Sequence, residues 1–258
     1  MKNSLIIIIV LAIIFSIMLN SPENIFLGKL IQKEHGGLYV LNKDGDVYIA
    51  GTAQYHGSFK EEDLIVDLEP TKEGYYILDK HGKVFAFGDA LFLGEANLEN
   101  AVDLEAIDDG YYIIDNEGRV HDYGFVSSFG NGPIDENYVD MEVVDQGYYL
   151  LKENGDIISL GNIEPIKGIK TEDAVDLELT ENGHYILTKQ GNILVFGGAN
   201  NLGGLSLADN SAVDLELTED GYYILGEFGN LYSFNAGIGL FGPEIVTKPI
   251  FIDLELVN

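Results

Sequence analysis

Two acidic positions that recur along the chain are the residues with the clearest potential for chemistry. Each pair stands in a V-D-L-E-like motif that occurs six times, and the aspartates follow one another at spacings of 36, 37, 36, 38 and 39 residues. Carboxylate oxygens are the ligands that Ca²⁺ prefers, so the aspartates are candidate calcium ligands. These aspartates are Asp67, Asp103, Asp140, Asp176, Asp214 and Asp253. The glutamates two positions later are Glu69, Glu105, Glu142, Glu178, Glu216 and Glu255.

A structural role competes with calcium binding at these acids. Two carboxylates about 6 Å apart repel by about 3 kcal/mol at an effective dielectric constant near 20, so clustered acids need a counter-ion or hydrogen-bond donors. Backbone N–H groups or tyrosine hydroxyls could donate to each carboxylate. Sixfold repetition favours this interpretation, because a contact between neighbouring units recurs in every unit whereas one ion needs one site. We therefore expect no cofactor, with Ca²⁺ as the alternative.

Other catalytic chemistry has little support in the sequence. The chain has no cysteine, which excludes disulfides, thiolate metal sites and thiol catalysis. The histidines show no H-x-x-x-H or H-E-x-x-H spacing, and no G-x-S-x-G, P-loop or dinucleotide motif is present. We expect a protein that is not an enzyme. The alternative is a calcium-dependent hydrolase or lyase with its site at the mouth of a central channel, for which His56, His121 and Asp122 are the copy-specific residues to inspect.

The elements that must position the acids follow from the rest of the repeat. The D-L-E segment alternates apolar and acidic residues, a strand period, and a Y-x-I/L-L strand and a third short strand follow it. We expect the tyrosine of the second strand to pack between units rather than to bind a ligand. Four copies carry a second tyrosine just before it, on the opposite face, where some rings could be exposed and stack on a sugar. The recurring tyrosines are Tyr39, Tyr76, Tyr112, Tyr149, Tyr185 and Tyr223.

Glycines punctuate each copy at the turns. The second turn carries a glycine that can supply the positive φ of a two-residue hairpin, as in Asp44-Gly45 and Asn154-Gly155. A further glycine ends the third strand in five copies, and Asn235 replaces it in the last. Asparagine tolerates the left-handed conformation next best, so we expect positive φ at Asn235.

A fourth, more divergent segment closes each unit, and we expect it to be an outer edge strand with exposed loops. Four short antiparallel strands per repeat of this length predict a propeller blade. The first unit (36–51) lacks the acidic strand, whereas the chain ends with a spare one (251–258). The C-terminal strand should therefore complete the first blade, which gives an all-β, six-bladed β-propeller closed by that strand. Residues 29–37 could be a degenerate inner strand, so a seven-bladed propeller is the alternative.

The N-terminus carries a separate signal. Residues 5–19 form a 15-residue apolar segment preceded by Lys2, which predicts a signal peptide or a retained N-terminal membrane anchor over 1–20. Residues 21–35 are interpreted as a linker, and 36–258 as the propeller. Either interpretation places the domain outside the cytoplasmic membrane, as an extracellular, periplasmic or cell-surface protein.

Composition limits the partners. The chain has 43 acidic against 14 basic residues and a formal net charge of −29. Such a surface repels nucleic acid and anionic lipid, so we expect no nucleic-acid partner, and membrane contact only through residues 5–19 if they are not cleaved. We expect a monomer.

The repeats resemble a known class. GYYILDKHGKVFAFGDALFLG and VDLELTEDGYYIL are similar to the short propeller repeats of exported bacterial proteins, and the resemblance covers residues 36–258. HYILTKQGNILVFGGANNLGGL (184–205) also resembles a repeat of the regulator-of-chromosome-condensation family, although the other copies lack its ending. The resemblance implies a fold and transfers no catalytic residue.

These observations favour a secreted or surface-anchored, non-catalytic binding or scaffold module. We expect it to take a protein or glycan ligand through the divergent loops, because variable loops on a constant scaffold are where binding usually occurs. A chiefly structural role, as part of a surface layer, is the third hypothesis.

Overall fold

The regular elements of the described chain are all β-strands, in agreement with the predicted all-β class. None of the described residues forms a helix with the length and apolar character needed to cross a membrane. The predicted leader (1–20) and linker (21–35) lie outside the described residues. The computed structural model describes residues 36–60, 64–134, 137–207, 211–236 and 250–257.

The described strands form six antiparallel three-stranded sheets, numbered here in chain order. Sheet 1 contains β1 (Gly37–Asn42), β2 (Val47–Gly51) and β18 (Phe251–Val257). Sheet 2 contains β3 (Ile65–Pro70), β4 (Gly74–Asp79) and β5 (Val84–Gly88). Sheet 3 contains β6 (Ala101–Ile107), β7 (Gly110–Asp115) and β8 (Val120–Gly124). Sheet 4 contains β9 (Tyr138–Val144), β10 (Gly147–Lys152) and β11 (Ile157–Gly161). Sheet 5 contains β12 (Ala174–Thr180), β13 (Gly183–Thr188) and β14 (Ile193–Gly197). Sheet 6 contains β15 (Ala212–Leu217), β16 (Tyr222–Gly226) and β17 (Leu231–Phe234).

The two ends of the repeat array meet in sheet 1. Strand β18 pairs antiparallel with β1, with Val40 opposite Leu254 and Leu38 opposite Leu256. The prediction that the C-terminal strand completes the first unit is therefore confirmed. The alternative inner strand at 29–37 lies almost wholly outside the described residues, and the described ranges contain six sheets.

The acidic strand of each sheet, called here the inner strand, contacts the inner strands of two neighbouring sheets. In chain order β3 contacts β6, β6 contacts β9, β9 contacts β12 and β12 contacts β15. Strand β18 contacts both β15 and β3. Between each pair of neighbouring sheets lies a cluster of buried apolar side chains. The core is thus divided among the sheet–sheet interfaces.

The middle strand of each sheet is buried on both faces because a neighbouring sheet covers each one. In β4, Tyr75 and Ile77 pack towards sheet 1 whereas Tyr76 and Leu78 pack towards sheet 3. Side chains of a strand alternate between its faces, which explains why the tyrosine doublets are tolerated. Both tyrosines of all four doublets are buried. The expectation that some of these rings are exposed for sugar stacking is therefore wrong.

A β-bulge precedes the aspartate in each inner strand. In β6, Ala101 pairs with Asp115 and Asp103 pairs with Ile114, so Val102 is the extra residue. Val102 packs against the apolar cluster between sheets 3 and 4, while Asp103 faces a cavity lined by the acidic residues of the inner strands. A bulge bends the strand and redirects its side chains. The same register shift occurs in the other inner strands.

The prediction of a fourth, outer strand in each unit is wrong for the described residues, where this segment forms no strand. In the second unit its backbone bonds to the turn between β4 and β5. The N–H groups of Ala96 and Leu98 donate to the carbonyls of Gly82 and His81, each at 2.9 Å. The segment therefore crosses the end of the sheet instead of extending along its outer strand.

The predicted hairpin glycines have positive φ, but the turns are one residue longer than expected. The N–H of Asn42 donates to the carbonyl of Asp46 at 3.1 Å, and that of Gly45 donates to the carbonyl of Asn42 at 2.9 Å. Residues 43–45 thus form a three-residue loop with a left-handed final residue, and Gly45 has φ 83°. The prediction for Asn235 is confirmed, with φ 56°.

Candidate functional site

The twelve repeated carboxylates converge on one axial cavity of about 230 Å³. Every aspartate and glutamate of the six motifs lines it, and among the described residues the remaining lining residue is Leu104. The six aspartates named as calcium candidates are thus brought together. In the described part of the chain, however, no group of three or more acidic or histidine side chains has a ready-made metal-binding arrangement.

Most of the aspartates hold the next sheet through its backbone. Oδ2 of Asp67 accepts the Leu104 N–H at 3.0 Å, and Oδ2 of Asp103 accepts the Met141 N–H at 2.9 Å. The same bond joins Asp140 to Leu177, Asp214 to Leu254 and Asp253 to Leu68. The predicted structural role of the acids is confirmed at these five contacts.

Burial and mutual repulsion make these acids unusually weak. Burial raises the pKa of Asp103 to about 7 although the Met141 N–H opposes the shift, and burial raises the pKa of Glu142 to about 8. Burial, followed by the charges of nearby carboxylates, raises the pKa of Asp67 and Glu105 well above the usual range. Because burying several like charges together is costly, part of this cluster holds protons near neutral pH in the absence of a cation.

A second feature is an exposed apolar cleft between sheets 2 and 3. Leu91, Leu93, Ile107 and Phe125 line it together with the buried ring of Tyr76, and its volume is about 550 Å³. Phe125 is 96% exposed and Leu91 is 68% exposed. Exposed apolar side chains that cluster around a cleft are characteristic of an interaction site.

Tyrosine hydroxyls hold the loop that forms one wall of this apolar cleft. The Tyr76 hydroxyl donates to the Leu91 carbonyl at 3.0 Å and accepts the Leu91 N–H at 3.1 Å. The Tyr111 hydroxyl donates to the Gly94 carbonyl and accepts the Leu93 N–H, the latter at 3.2 Å. The recurring tyrosines therefore pack between sheets, as expected, and also fix the divergent loops.

Two apolar residues of this cleft have polar counterparts in other copies of the repeat. Gln54 and Asn200 occupy the position of Leu91, since their carbonyls accept the equivalent tyrosine hydroxyl. Asp89 occupies the position of Phe125 in the preceding unit. The corresponding clefts of sheets 1 and 2 and of sheets 5 and 6 are consequently more polar. Aligning the six copies for unusual apolar residues could have found Leu91 and Phe125, which the sequence analysis missed.

The residues of the enzyme alternative are not assembled into one site. His121 and Asp122 are consecutive on β8 and so point to opposite faces. His56 lies in the loop after β2, where its backbone N–H donates to the Tyr75 hydroxyl at 3.1 Å. The residues lining the axial cavity include none of the three within the described chain.

The sequence matches no protein-family model and no curated protein. Among solved structures, the chain is similar to the computationally designed Ika8 protein, with 13% identity and a TM-score of 0.46 over 76% of this chain and 66% of that one, just under two thirds. It is also similar to Hsv2p of Kluyveromyces lactis, with 13% identity and a TM-score of 0.45 over 82% of this chain and 75% of that one. BBS1N, solved in complex with ARL6DN, has 10% identity and a TM-score of 0.47 over 78% of this chain and 76% of that one. The functions of the cavity and the cleft must therefore be inferred from this chain's own residues.

Proposed function

We propose that this chain is a closed six-bladed β-propeller that acts as a non-catalytic binding module for a protein partner. The cyclic contacts of the inner strands and the pairing of β18 with β1 support closure. The observation that carries the binding function is the apolar cleft, above all the 96% exposed ring of Phe125 beside Leu91. An exposed aromatic side chain next to a cleft is the kind of anchor that dominates protein interfaces.

The partner should present an apolar side chain flanked by basic residues. Three aspartates and one lysine line the cleft beside its apolar wall, so the cleft is acidic on balance. They are Asp89, Asp108, Asp109 and Lys72. The whole chain carries a formal charge of −29. Complementary charge accelerates association and selects partners. A protein fits better than a glycan, because Leu91 and Ile107 offer no side-chain hydrogen bonds to sugar hydroxyls.

The proposed setting is the outer side of the cytoplasmic membrane. The apolar segment 5–19 behind Lys2 supports export, either as a cleaved signal peptide or as an anchor. A monomeric propeller held there would present its divergent loops to extracellular, periplasmic or cell-surface proteins.

The test is a selection of displayed peptides on the purified full-length chain, followed by calorimetry with the selected peptides. We expect sequences with a central apolar residue between lysines or arginines. Phe125→Ala should weaken their binding by about tenfold or more, because loss of an interface aromatic anchor has a large effect.

Ile134→Ala is the matched control, since Ile134 is an exposed aliphatic residue outside the cleft. Unchanged binding in this variant is expected. Failure to enrich any peptide, or equal binding by the Phe125→Ala protein, would contradict the proposal. If the chain binds no peptide but binds glycans on an array, and Phe125→Ala abolishes that signal, the ligand is a glycan rather than a protein.

A further inference from the structure

The sixfold pattern of the axial cavity is broken at Asp176. By analogy with the other sheets, Oδ2 of Asp176 should accept the N–H of Leu215 on sheet 6. That N–H donates instead to Oδ1 of Asp214, its own neighbour in the chain, at 2.9 Å. Oδ2 of Asp176 is left buried and accepts no hydrogen bond. An unsatisfied buried carboxylate oxygen is expensive, and a bound ion is one way to satisfy it.

The surroundings of Asp176 supply negative charge and no compensating cation. Asp176 is 8% exposed and lines the axial cavity. Asp214 lies beside it, close enough for a side-chain hydrogen bond between the two carboxyls when one is protonated. Within the described chain, no lysine, arginine or histidine lines this cavity.

We propose that the axial cavity binds one Ca²⁺ ion between sheets 5 and 6, with Oδ2 of Asp176 and the carboxylate of Asp214 as its protein ligands. The ion replaces the missing hydrogen bond between these two sheets and neutralises two of the buried charges. Ca²⁺ binds six to eight oxygen ligands in flexible geometry, so water molecules complete its shell. Mg²⁺ fits less well, because it requires near-ideal octahedral geometry and gives up its water reluctantly.

This site is independent of the apolar cleft. Loss of Ca²⁺ would weaken the contact between sheets 5 and 6 and so the stability of the ring. It would leave the loop that carries Leu91, which lies between sheets 2 and 3, in place. Failure of the calcium proposal would therefore leave the protein-binding proposal standing, and the reverse also holds.

The test uses the full-length chain, stripped of metal with EDTA and exchanged into chelator-free buffer. We expect calorimetry to detect one Ca²⁺ per chain. A hundredfold excess of Ca²⁺ over its Kd should raise Tm by about 5 °C or more, because a ligand that binds only the folded state stabilises it by mass action. Mg²⁺ should bind at least about tenfold more weakly than Ca²⁺.

Two isosteric variants localise the site. Asp176→Asn removes the charge of a proposed ligand and should weaken the affinity for Ca²⁺ by at least about tenfold. Asp67→Asn makes the same change across the ring, on sheet 2, where Oδ2 already accepts the Leu104 N–H. Asp67→Asn should weaken the affinity for Ca²⁺ by no more than about fourfold, because this residue acts on the ion only through long-range charge. Circular dichroism of both variants at pH 6 checks that each is folded.

Three outcomes would overturn the proposal. Absence of Ca²⁺ binding by the wild-type chain would mean that Asp176 and Asp214 share a proton only. Equal affinity for Mg²⁺ and Ca²⁺, with equal loss in both variants, would mean that the cavity attracts counter-ions without a defined site. If Asp176→Asn fails to fold, titration of the wild-type chain with Tb³⁺, displaced by Ca²⁺, decides the stoichiometry, and any value other than one ion per chain contradicts the proposed site.

Discussion

At the scale of single residues, the same side-chain type carries out the same task in neighbouring sheets. The hydroxyls of Tyr75, Tyr111, Tyr148 and Tyr222 each donate to a glycine carbonyl in the loop of the preceding unit. Their rings are fully buried between sheets. A buried tyrosine contributes apolar area and one anchored polar group, so these residues couple the constant core to the divergent loops.

Replacing one of these hydroxyls should measurably destabilise the fold. We expect Tyr111→Phe to reduce the free energy of unfolding by about 1–3 kcal/mol, because the Gly94 carbonyl and the Leu93 N–H lose their partner. Urea unfolding followed by circular dichroism measures the change. Tyr55→Phe is the control, since Tyr55 is 42% exposed and its hydroxyl meets Ser58 at the surface. A loss as large in the control as in Tyr111→Phe would show that the buried hydroxyl has no special role.

At the scale of elements, β18 joins the last unit of the repeat array to the first. It pairs with β1, and its backbone N–H at Leu254 bonds to Asp214 while its Asp253 accepts the Leu68 N–H. Phe251 and Leu254 are almost completely buried in the core between sheets 6 and 1. Strand β18 contacts β1, β3, β15 and β16. A strand with this many contacts contributes strongly to stability, and its removal exposes a sheet edge.

Removal of β18 should therefore unfold or aggregate the protein, and the missing strand should restore it in trans. We expect a chain ending at residue 249 to lose its cooperative thermal transition. Burial of Phe251 and Leu254 alone contributes about 4 kcal/mol or more by transfer of apolar area. Addition of a peptide of residues 250–258 should recover the transition, whereas a scrambled peptide of equal composition should not. A truncated chain that melts like the full chain would show that the fold does not need this strand.

At the scale of the whole molecule, the axial cavity gathers charge that a folded protein normally keeps apart. The formal charge of −29 is spread over the chain, yet twelve carboxylates face one small cavity. Protons, hydrogen bonds from the next sheet, or a cation must offset their repulsion. Backbone N–H groups of the next sheet donate to five of the aspartates and to Glu69. The remaining repulsion must be offset by protons or by cations.

The metal-free protein should consequently be more stable in mild acid than in mild base. The pKa values of Asp103 and Glu142 are raised in the folded chain to about 7 and about 8, in each case chiefly by burial. In the unfolded chain such groups have pKa values of about 4. The folded state therefore binds more protons above pH 4, and this stabilisation is lost as pH rises through about 7 to 8. In EDTA at constant ionic strength, Tm should fall between pH 5 and pH 8.5.

Glu142→Gln provides the matched variant for this prediction. Removing a buried negative charge should raise Tm at pH 8.5 and leave Tm at pH 5 nearly unchanged, because the carboxyl is already neutral there. Differential scanning calorimetry at both pH values makes the comparison. A wild-type Tm that stays constant or rises towards pH 8.5 in EDTA would show that burial does not raise the pKa values of the cavity carboxylates.

Much of the fold was predictable because short sequence patterns within each repeat determine its strands and turns. The strands are specified by the alternation of apolar and acidic residues in each D-L-E segment. The turns are specified by their glycines and by Asn235, which adopt positive φ readily. Each of these signals lies within a single copy of the repeat. The spare strand at 251–258 predicted the pairing of the chain ends. The fourth segment was mispredicted, because its hydrogen bonds to the β4–β5 turn and to tyrosine hydroxyls come from elsewhere in the chain.

The sequence by itself determined the sixfold repeat, the strands of each unit and the acidic residues that every inner strand contributes. The tertiary structure alone decided that Asp176, which stands in the same A-V-D-L-E-L segment as Asp214, lacks the backbone donor from the next sheet that the other five aspartates have. It also decided that Leu91 and Phe125 face one cleft. The physical reason is that a repeat specifies what each sheet offers, whereas the packing of one sheet against the next determines which of those groups find a partner.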